Sequence, residues 1–169
     1  MLHDLGATGQ VGYIVDDLLA SVQKWYDTTG IGPWYVKEHV PLDYFTYRGK
    51  PSDIDIGIAY AYTGSMQIEL ITQHNDAPSM YMDFRNTQGE GAQHVCFFPS
   101  NYDAAMHKLL DVGMTNVQDG AIQGIRFMYL SESHGQVIEI ADFDDRRQEA
   151  RQTKITAALE WDGKDLIRT

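Results

Sequence analysis

Gln10-Val11-Gly12-Tyr13-Ile14-Val15, followed by Asp16-Asp17, a helix-patterned stretch and Gly30, returns later in the chain as His94-Val95-Cys96-Phe97-Phe98-Pro99, followed by Ser100-Asn101, a second such stretch and Gly113. From the first polar residue to the closing glycine the copies span 20 and 19 positions, so they superimpose with one residue of slack. Self-similarity of this kind means that the chain is built from related supersecondary units. Each copy opens with a short β-branched and aromatic run, read as a strand. Asp16 or Asp17 in one copy, and Ser100 or Asn101 in the other, supply an N-cap for the helix that follows. Leu18, Val22, Trp25 and Tyr26 recur at helical spacing, as do Tyr102, Ala105, Met106, Leu109 and Leu110, so each helix shows one apolar stripe to a sheet. Gly30 and Gly113 stand where a left-handed residue ends a helix.

Three strands are expected after each helix. In the first copy they fall at residues 34–40, 54–62 and 65–72, with Thr63-Gly64 as a turn. In the second they fall at 115–118, 125–131 and 137–141, with His134-Gly135 in the turn. The fold class predicted is α+β: two βαβββ modules, at 1–73 and 92–142, joined by a polar linker at 74–91 and followed by a helical tail at 143–169. The first module is longer from Gln10 to Glu69 than the second from His94 to Glu139, and the excess lies mainly in residues 41–53, expected to be a mobile loop.

Composition narrows the function. The 169 residues carry 13 Lys plus Arg against 24 Asp plus Glu, a net charge of -11 that repels nucleic acids and anionic lipid surfaces. No apolar run is long enough to span a bilayer and no basic-then-apolar leader opens the chain, so a cytoplasmic protein is expected. The single cysteine, Cys96, lies in an apolar run and reads as a small core residue. Ten tyrosines and three tryptophans are enough to line a pocket or to fill half-buried sheets.

The chemistry is carried by polar residues set in otherwise apolar strands. Glu69 stands between Ile68 and Leu70, Glu139 between Ile138 and Ile140, and Gln10 and His94 open the first strand of each repeat. A charge on a buried sheet face is costly unless it is paired or bound to a cation. The repeat makes Gln10 equivalent to His94 and Glu69 equivalent to Glu139, so a pseudo-twofold would gather all four around one point. Such an oxygen and imidazole set suits one divalent metal ion, with Zn, Ni, Co, Mn and Mg all admissible, and leaves coordination positions open.

The span from Gln10 to Glu139 resembles the vicinal-oxygen-chelate superfamily, which includes glyoxalase I, methylmalonyl-CoA epimerase, extradiol dioxygenases and bleomycin- and fosfomycin-resistance proteins. The resemblance rests on Gln10 to Leu18, on Gly30-Ile31-Gly32-Pro33-Trp34, on Gln67-Ile68-Glu69-Leu70-Ile71, on His94-Val95 and on Gly135-Gln136-Val137-Ile138-Glu139-Ile140. The phrasing is most similar to the glyoxalase I and epimerase-like branch. It implies Gln10, Glu69, His94 and Glu139 as metal ligands, although many members have His where Gln10 stands. It also implies a metal-dependent isomerase, epimerase or lyase that abstracts a proton beside a chelated carbonyl and stabilises an enediolate or enolate. A small-molecule substrate and a homodimer are implied as partners. Glu139 is the first choice as base, and Glu69 could serve the opposite face of the carbon. The alternatives are a metal-free binding protein of the bleomycin-resistance type and an extradiol-type dioxygenase, the latter disfavoured by Gln10.

Other residues are expected to be bystanders. His39, His74, His107 and His134 read as solvated. Trp34, Tyr44, Phe45 and Tyr47 are open to a lid or a plain surface reading. Arg146, Arg147 and Arg151 are expected to pair with Asp142, Asp144, Asp145 and Glu149 rather than to receive a substrate anion.

Overall fold

A computed structural model describes residues 5–132 and 137–169. The first repeat gives β1 (Thr8–Ile14), α1 (Leu18–Thr29) and β2 (Trp34–Lys37), then β3 (Tyr44–Tyr47), β4 (Lys50–Pro51), β5 (Ile56–Thr63) and β6 (Met66–Gln73). After α2 (Met80–Gln88), the second gives β7 (Gly91–Phe97), α3 (Tyr102–Asp111), β8 (Thr115–Ile122), β9 (Ile125–Ser131) and β10 (Val137–Ala141), and the chain closes with α4 (Asp145–Leu159) and β11 (Ile167–Arg168). Of the paired cap candidates, Asp17 and Asn101 take the role, accepting from the Ala20 and Ala104 amides at 2.9 Å in each case. Gly30 ends α1 in the left-handed region, at φ 71°. The expected His134-Gly135 turn lies outside the described residues.

All described strands join one sheet in the order β11-β2-β5-β6-β1-β7-β10-β9-β8-β3-β4. The two modules meet where β1 runs antiparallel to β7, and each first strand has its module's last strand parallel on the other side, β6 beside β1 and β10 beside β7. The sheet is strongly curled. The Val40 amide bonds the Ile56 carbonyl at the start of β5, and the Asp43 amide bonds Ala121 in β8 on the far side of the sheet. Three residues can cover only about 10 Å, so the two ends of the sheet nearly meet around a hollow.

Two apolar clusters cover the outside of the curl and one fills part of the inside. Leu18 and Val22 of α1 pack on Trp34, Ala59 and Leu70, and Tyr102, Ala105 and Leu109 of α3 pack on Met128, Leu130 and Ile140. Inside lie Ile14, Phe45, Ile71, Tyr81, Phe127 and Tyr129. Each Leu, Ile or Phe buried in this way contributes about 1.5–3 kcal/mol.

Three expectations are corrected. Residues 41–53 are not a loose loop, because the alternating Tyr44-Phe45-Thr46-Tyr47 pairs with the edge of β8 and buries Phe45 and Tyr47. Trp34 is fully buried in the outer cluster and Tyr44 is exposed, so neither belongs to a lid. The stretch between the modules is not all linker, since Ser79 caps α2 and Tyr81 enters the inner cluster. The tail doubles back: α4 packs against β5 of the first module, and β11 pairs with β2.

Candidate metal centre

The four sequence-selected polar residues sit on the four central strands. Gly12 of β1 is paired with Glu69 of β6 on one side and with His94 of β7 on the other. Cys96 of β7 is paired with Gln10 and with Glu139 of β10. Residues paired across strands share a face, so Gln10, Glu69, His94 and Glu139 converge on the hollow side. His94 Nε2 lies 3.2 Å from Glu139 Oε2 and 3.7 Å from Glu69 Oε2, and Gln10 Nε2 donates to Glu69 Oε2 at 2.5 Å. Gln10 is 5% exposed, His94 3% and Glu139 7%, with the Glu69 side chain at 14%.

Two irregularities in the β1–β7 pairing aim these side chains. The register slips between Thr8 and Gln10, where Gly9 is the extra residue, and between Gly12 and Tyr13, where Gln93 is the extra residue on the other strand. Each bulge immediately precedes a site residue, Gln10 or His94. A bulge re-aims the side chain beside it. The Gln93 bulge also turns its own amide toward His94, whose Nδ1–H donates to Gln93 Oε1 at 2.7 Å. An amide oxygen only accepts, so Nδ1 donates here and Nε2 is the ring nitrogen turned toward Glu69 and Glu139. A metal-ligating histidine is oriented in the same way, one nitrogen held by a neighbour and the other facing the ion.

The electrostatics of this arrangement favour a positive charge, a proton or a cation, among the three side chains. Burial, and then the neighbouring Glu139, raise the Glu69 carboxyl well above the usual range, while Arg147 and the Gln10 amide pull it back. His94 Nε2 and Glu139 Oε2 are buried with no hydrogen-bond partner. Orphaned buried polar atoms are expensive, and here both face one point. Donor atoms of Glu69, His94 and Glu139 all lie within 4.8 Å of one another. Ligands about 2.0–2.3 Å from one ion stand at most about 4.6 Å apart, so the set fits a divalent ion with little movement.

The centre opens into a cavity of about 800 Å³. Tyr35 and Tyr60 stack along one wall with ring centroids 5.4 Å apart, and Tyr81 donates to Tyr129 Oη at 3.0 Å near the other. The Tyr129 ring stands edge-on to the His94 imidazole at 4.9 Å. Arg146, Arg147, Arg151 and Lys154 of α4 line the cavity too. The expected pairing of the arginines with Asp142, Asp144, Asp145 and Glu149 does not occur among the described residues. Arg147 Nη1 instead donates to the Asp142 backbone carbonyl at 2.7 Å, and Arg151 donates to the Gly9 carbonyl at 3.1 Å and to that of Ser65. The Asp142 carboxylate is taken by Arg126. His39 pairs with Asp55 and His74 bonds the Glu38 carbonyl, both away from the centre, and His107 is exposed on α3.

Residue-type reasoning missed Gly12, Gln93, Tyr81, Tyr129 and Lys154. Only Gly12 left a signal, as a residue without a side chain at the position the second repeat fills with Cys96. A Cβ on Gly12 would fall 1.8 Å from His94 Cε1, so the ring occupies the space that glycine leaves.

The family model described as the Glyoxalase/Bleomycin resistance protein/Dioxygenase superfamily matches residues 9–129. No curated protein matches the chain. Among solved structures, methylmalonyl-CoA epimerase from Mycobacterium tuberculosis superimposes with a TM-score of 0.60 at 18% identity, covering 84% of this chain and 91% of that one. A hypothetical protein, BH1468 from Bacillus halodurans C-125, gives 0.63 at 14% identity, covering 82% and 95%. A Streptomyces coelicolor methylmalonyl-CoA epimerase in complex with 2-nitronate-propionyl-CoA gives 0.56 at 19% identity, covering 80% and 95%. At these identities the structures attest the shared fold, and with the family match across the repeat they place this chain in the glyoxalase/bleomycin resistance/dioxygenase superfamily, the vicinal-oxygen-chelate proteins.

Proposed function

We propose that the protein is a metal-dependent isomerase or epimerase, or a related lyase, that moves a proton on a carbon beside a carbonyl. The observation that carries this reading is the pair of carboxylates flanking His94 Nε2 at 3.2 and 3.7 Å, with neither that nitrogen nor Glu139 Oε2 making a hydrogen bond. Glu69, His94 and Glu139 would hold the ion, joined by the Gln10 side-chain oxygen if that amide turns over. A divalent cation held there draws charge from a carbonyl oxygen and makes the neighbouring C–H acidic. Glu139, released from the ion or only weakly bound to it, accepts the proton, and Glu69, from the other module, stands ready to return it from the opposite side. Gln10 fixes Glu69 and cannot itself take a proton at neutral pH. The tyrosine-lined hollow keeps bulk water from the carbanion. The epimerase names of two structural neighbours support the same class of reaction.

The test is hydrogen exchange. Protein loaded with Co, Ni or Zn should catalyse deuterium uptake from heavy water next to the carbonyl in some members of a panel of thioesters, hydroxyketones and ketoacids. Glu139→Gln should lower that rate by about 10²–10⁴, with metal content measured on the same sample. Undiminished exchange in metal-replete Glu139→Gln would transfer the base role to Glu69. No exchange by any metal-loaded sample, or no metal retained by the wild type, would reject the reading.

A further inference from the structure

In this acidic protein, five of the 13 Lys and Arg residues line the cavity at the centre, namely Lys37 and four from α4. Among the described residues, the only acidic side chains lining it are those of Glu69 and Glu139. The placement on α4 is not that of an ordinary amphipathic helix. A helix lying on a sheet turns an apolar stripe inward, yet α4 has no buried residue, and Arg147, Arg151 and Lys154, at i, i+4 and i+7, are its half-buried cations. These three divide by their partners. Arg151 is spent on structure, bonding the Gly9 and Ser65 carbonyls and lying 5.1 Å over the Phe98 ring. Arg147 gives one nitrogen to a backbone carbonyl and pairs with no carboxylate among the described residues. Lys154 has no hydrogen bond or ion pair among them, and its ammonium rests on the Tyr35 and Tyr60 rings, 5.2 and 5.7 Å from their centroids.

We propose that the cavity takes an anionic small molecule whose carboxylate or phosphate seats on Arg147 and Lys154, on the Tyr35 and Tyr60 side of the hollow. Half-buried cations that make no ion pair keep much of their electrostatic pull, because solvent and salt screen them poorly. Arg147 offers a planar fork and Lys154 a rotatable point charge, a combination that suits an oxyanion. The register fixes the spacing. Tyr60 is paired with Glu69 and Tyr35 with Tyr60, so Lys154 stands one to two strands from Glu69. That is roughly 5–10 Å along the sheet, the reach of a substrate carrying a carbonyl at one end and an oxyanion at the other. This inference rests on the proposed reaction only for the orientation of the ligand.

Ligand-observed NMR with two matched pairs tests it: 4-oxopentanoate against butanone for a carboxylate, and dihydroxyacetone phosphate against dihydroxyacetone for a phosphate. Each comparison is made with and without bound Co or Zn. At least one charged member should bind fivefold or more tightly than its partner, the better pair naming the kind of oxyanion, and the advantage should shrink as salt rises. Lys154→Gln, which breaks no hydrogen bond, should cut the advantage at least twofold, and Arg147→Gln should cut it further. Less than fivefold in both pairs, or an advantage unchanged in Lys154→Gln, overturns the proposal. The two readings fail separately. Loss of metal binding leaves the charge preference intact in metal-free protein, whereas a missing charge preference leaves metal binding and proton exchange untouched.

Discussion

Gly12→Ala puts one methyl group where the site can least accept it. The new Cβ would lie 1.8, 2.2 and 2.5 Å from Cε1, Nε2 and Nδ1 of His94. Carbon atoms rest about 3.5–4.0 Å apart, so the ring must retreat by roughly 1.5–2 Å. Behind it stands the Tyr129 ring at 4.9 Å between centroids, and Nδ1 is tied to Gln93. Gly12 is not among the positive-φ glycines, so alanine suffers no backbone penalty there and the effect is the clash alone. Overpacking of this kind costs about 1–3 kcal/mol, which for a chain of this size lowers Tm by about 2–4 °C per kcal/mol. Ligand atoms tolerate displacements of only about 0.2 Å, so the variant should stay folded while its affinity for Co or Zn falls about 100-fold or more. Thermal melts of the metal-free protein, and calorimetric metal titrations, read the two effects separately. Adding His94→Ala to the same chain removes the ring and should recover most of the lost Tm, a strong non-additivity. Wild-type metal affinity in Gly12→Ala with His94 intact would refute the argument.

Two further outcomes follow from the same geometry. Because burial raises the Glu69 carboxyl above its unfolded value, the folded metal-free protein holds a proton that the unfolded chain releases. That contribution to stability is therefore full below the ordinary carboxylate pKa of about 4.3 and is lost as pH rises toward the raised value. Metal binding displaces the same proton, so affinity should climb with pH over that window, and Glu69→Gln should remove the metal-free slope; a slope unchanged in Glu69→Gln melts would show that another group sets it. Arg151→Ala leaves the Gly9 and Ser65 carbonyls without that donor, costing about 1–3 kcal/mol. Hydrogen exchange should accelerate across Asp145–Leu159 while α1 and α3 stay protected, and unchanged protection of α4 would show that Arg151 does not hold it down.

Local pattern alone determined most of the architecture. The 3.6-residue stripes that begin at Leu18 and Tyr102, the caps at Asp17 and Asn101 and the strands at 125–131 and 137–141 are properties of neighbouring residues, and the structure places them accordingly. The repeat also carried long-range information, because two copies of one unit pack with their equivalent positions related. That is why Gln10, Glu69, His94 and Glu139 could be picked out from residue type and equivalence and are found together. What the sequence could not express depends on partners distant in the chain. Tyr44-Phe45-Thr46-Tyr47 is a strand because the edge of β8 receives it some 75 residues later, a pairing no local periodicity encodes. The bulges at Gly9 and Gln93 exist only in the pairing of β1 with β7. The arginines of α4 sit beside acidic residues in sequence, and local charge rules pair them there. In the folded chain the helix crosses back over the first module, and its axis and roll send Arg147 and Lys154 into the hollow while the neighbouring carboxylates stay in solvent, because the fit of α4 against β5 decides which face points inward.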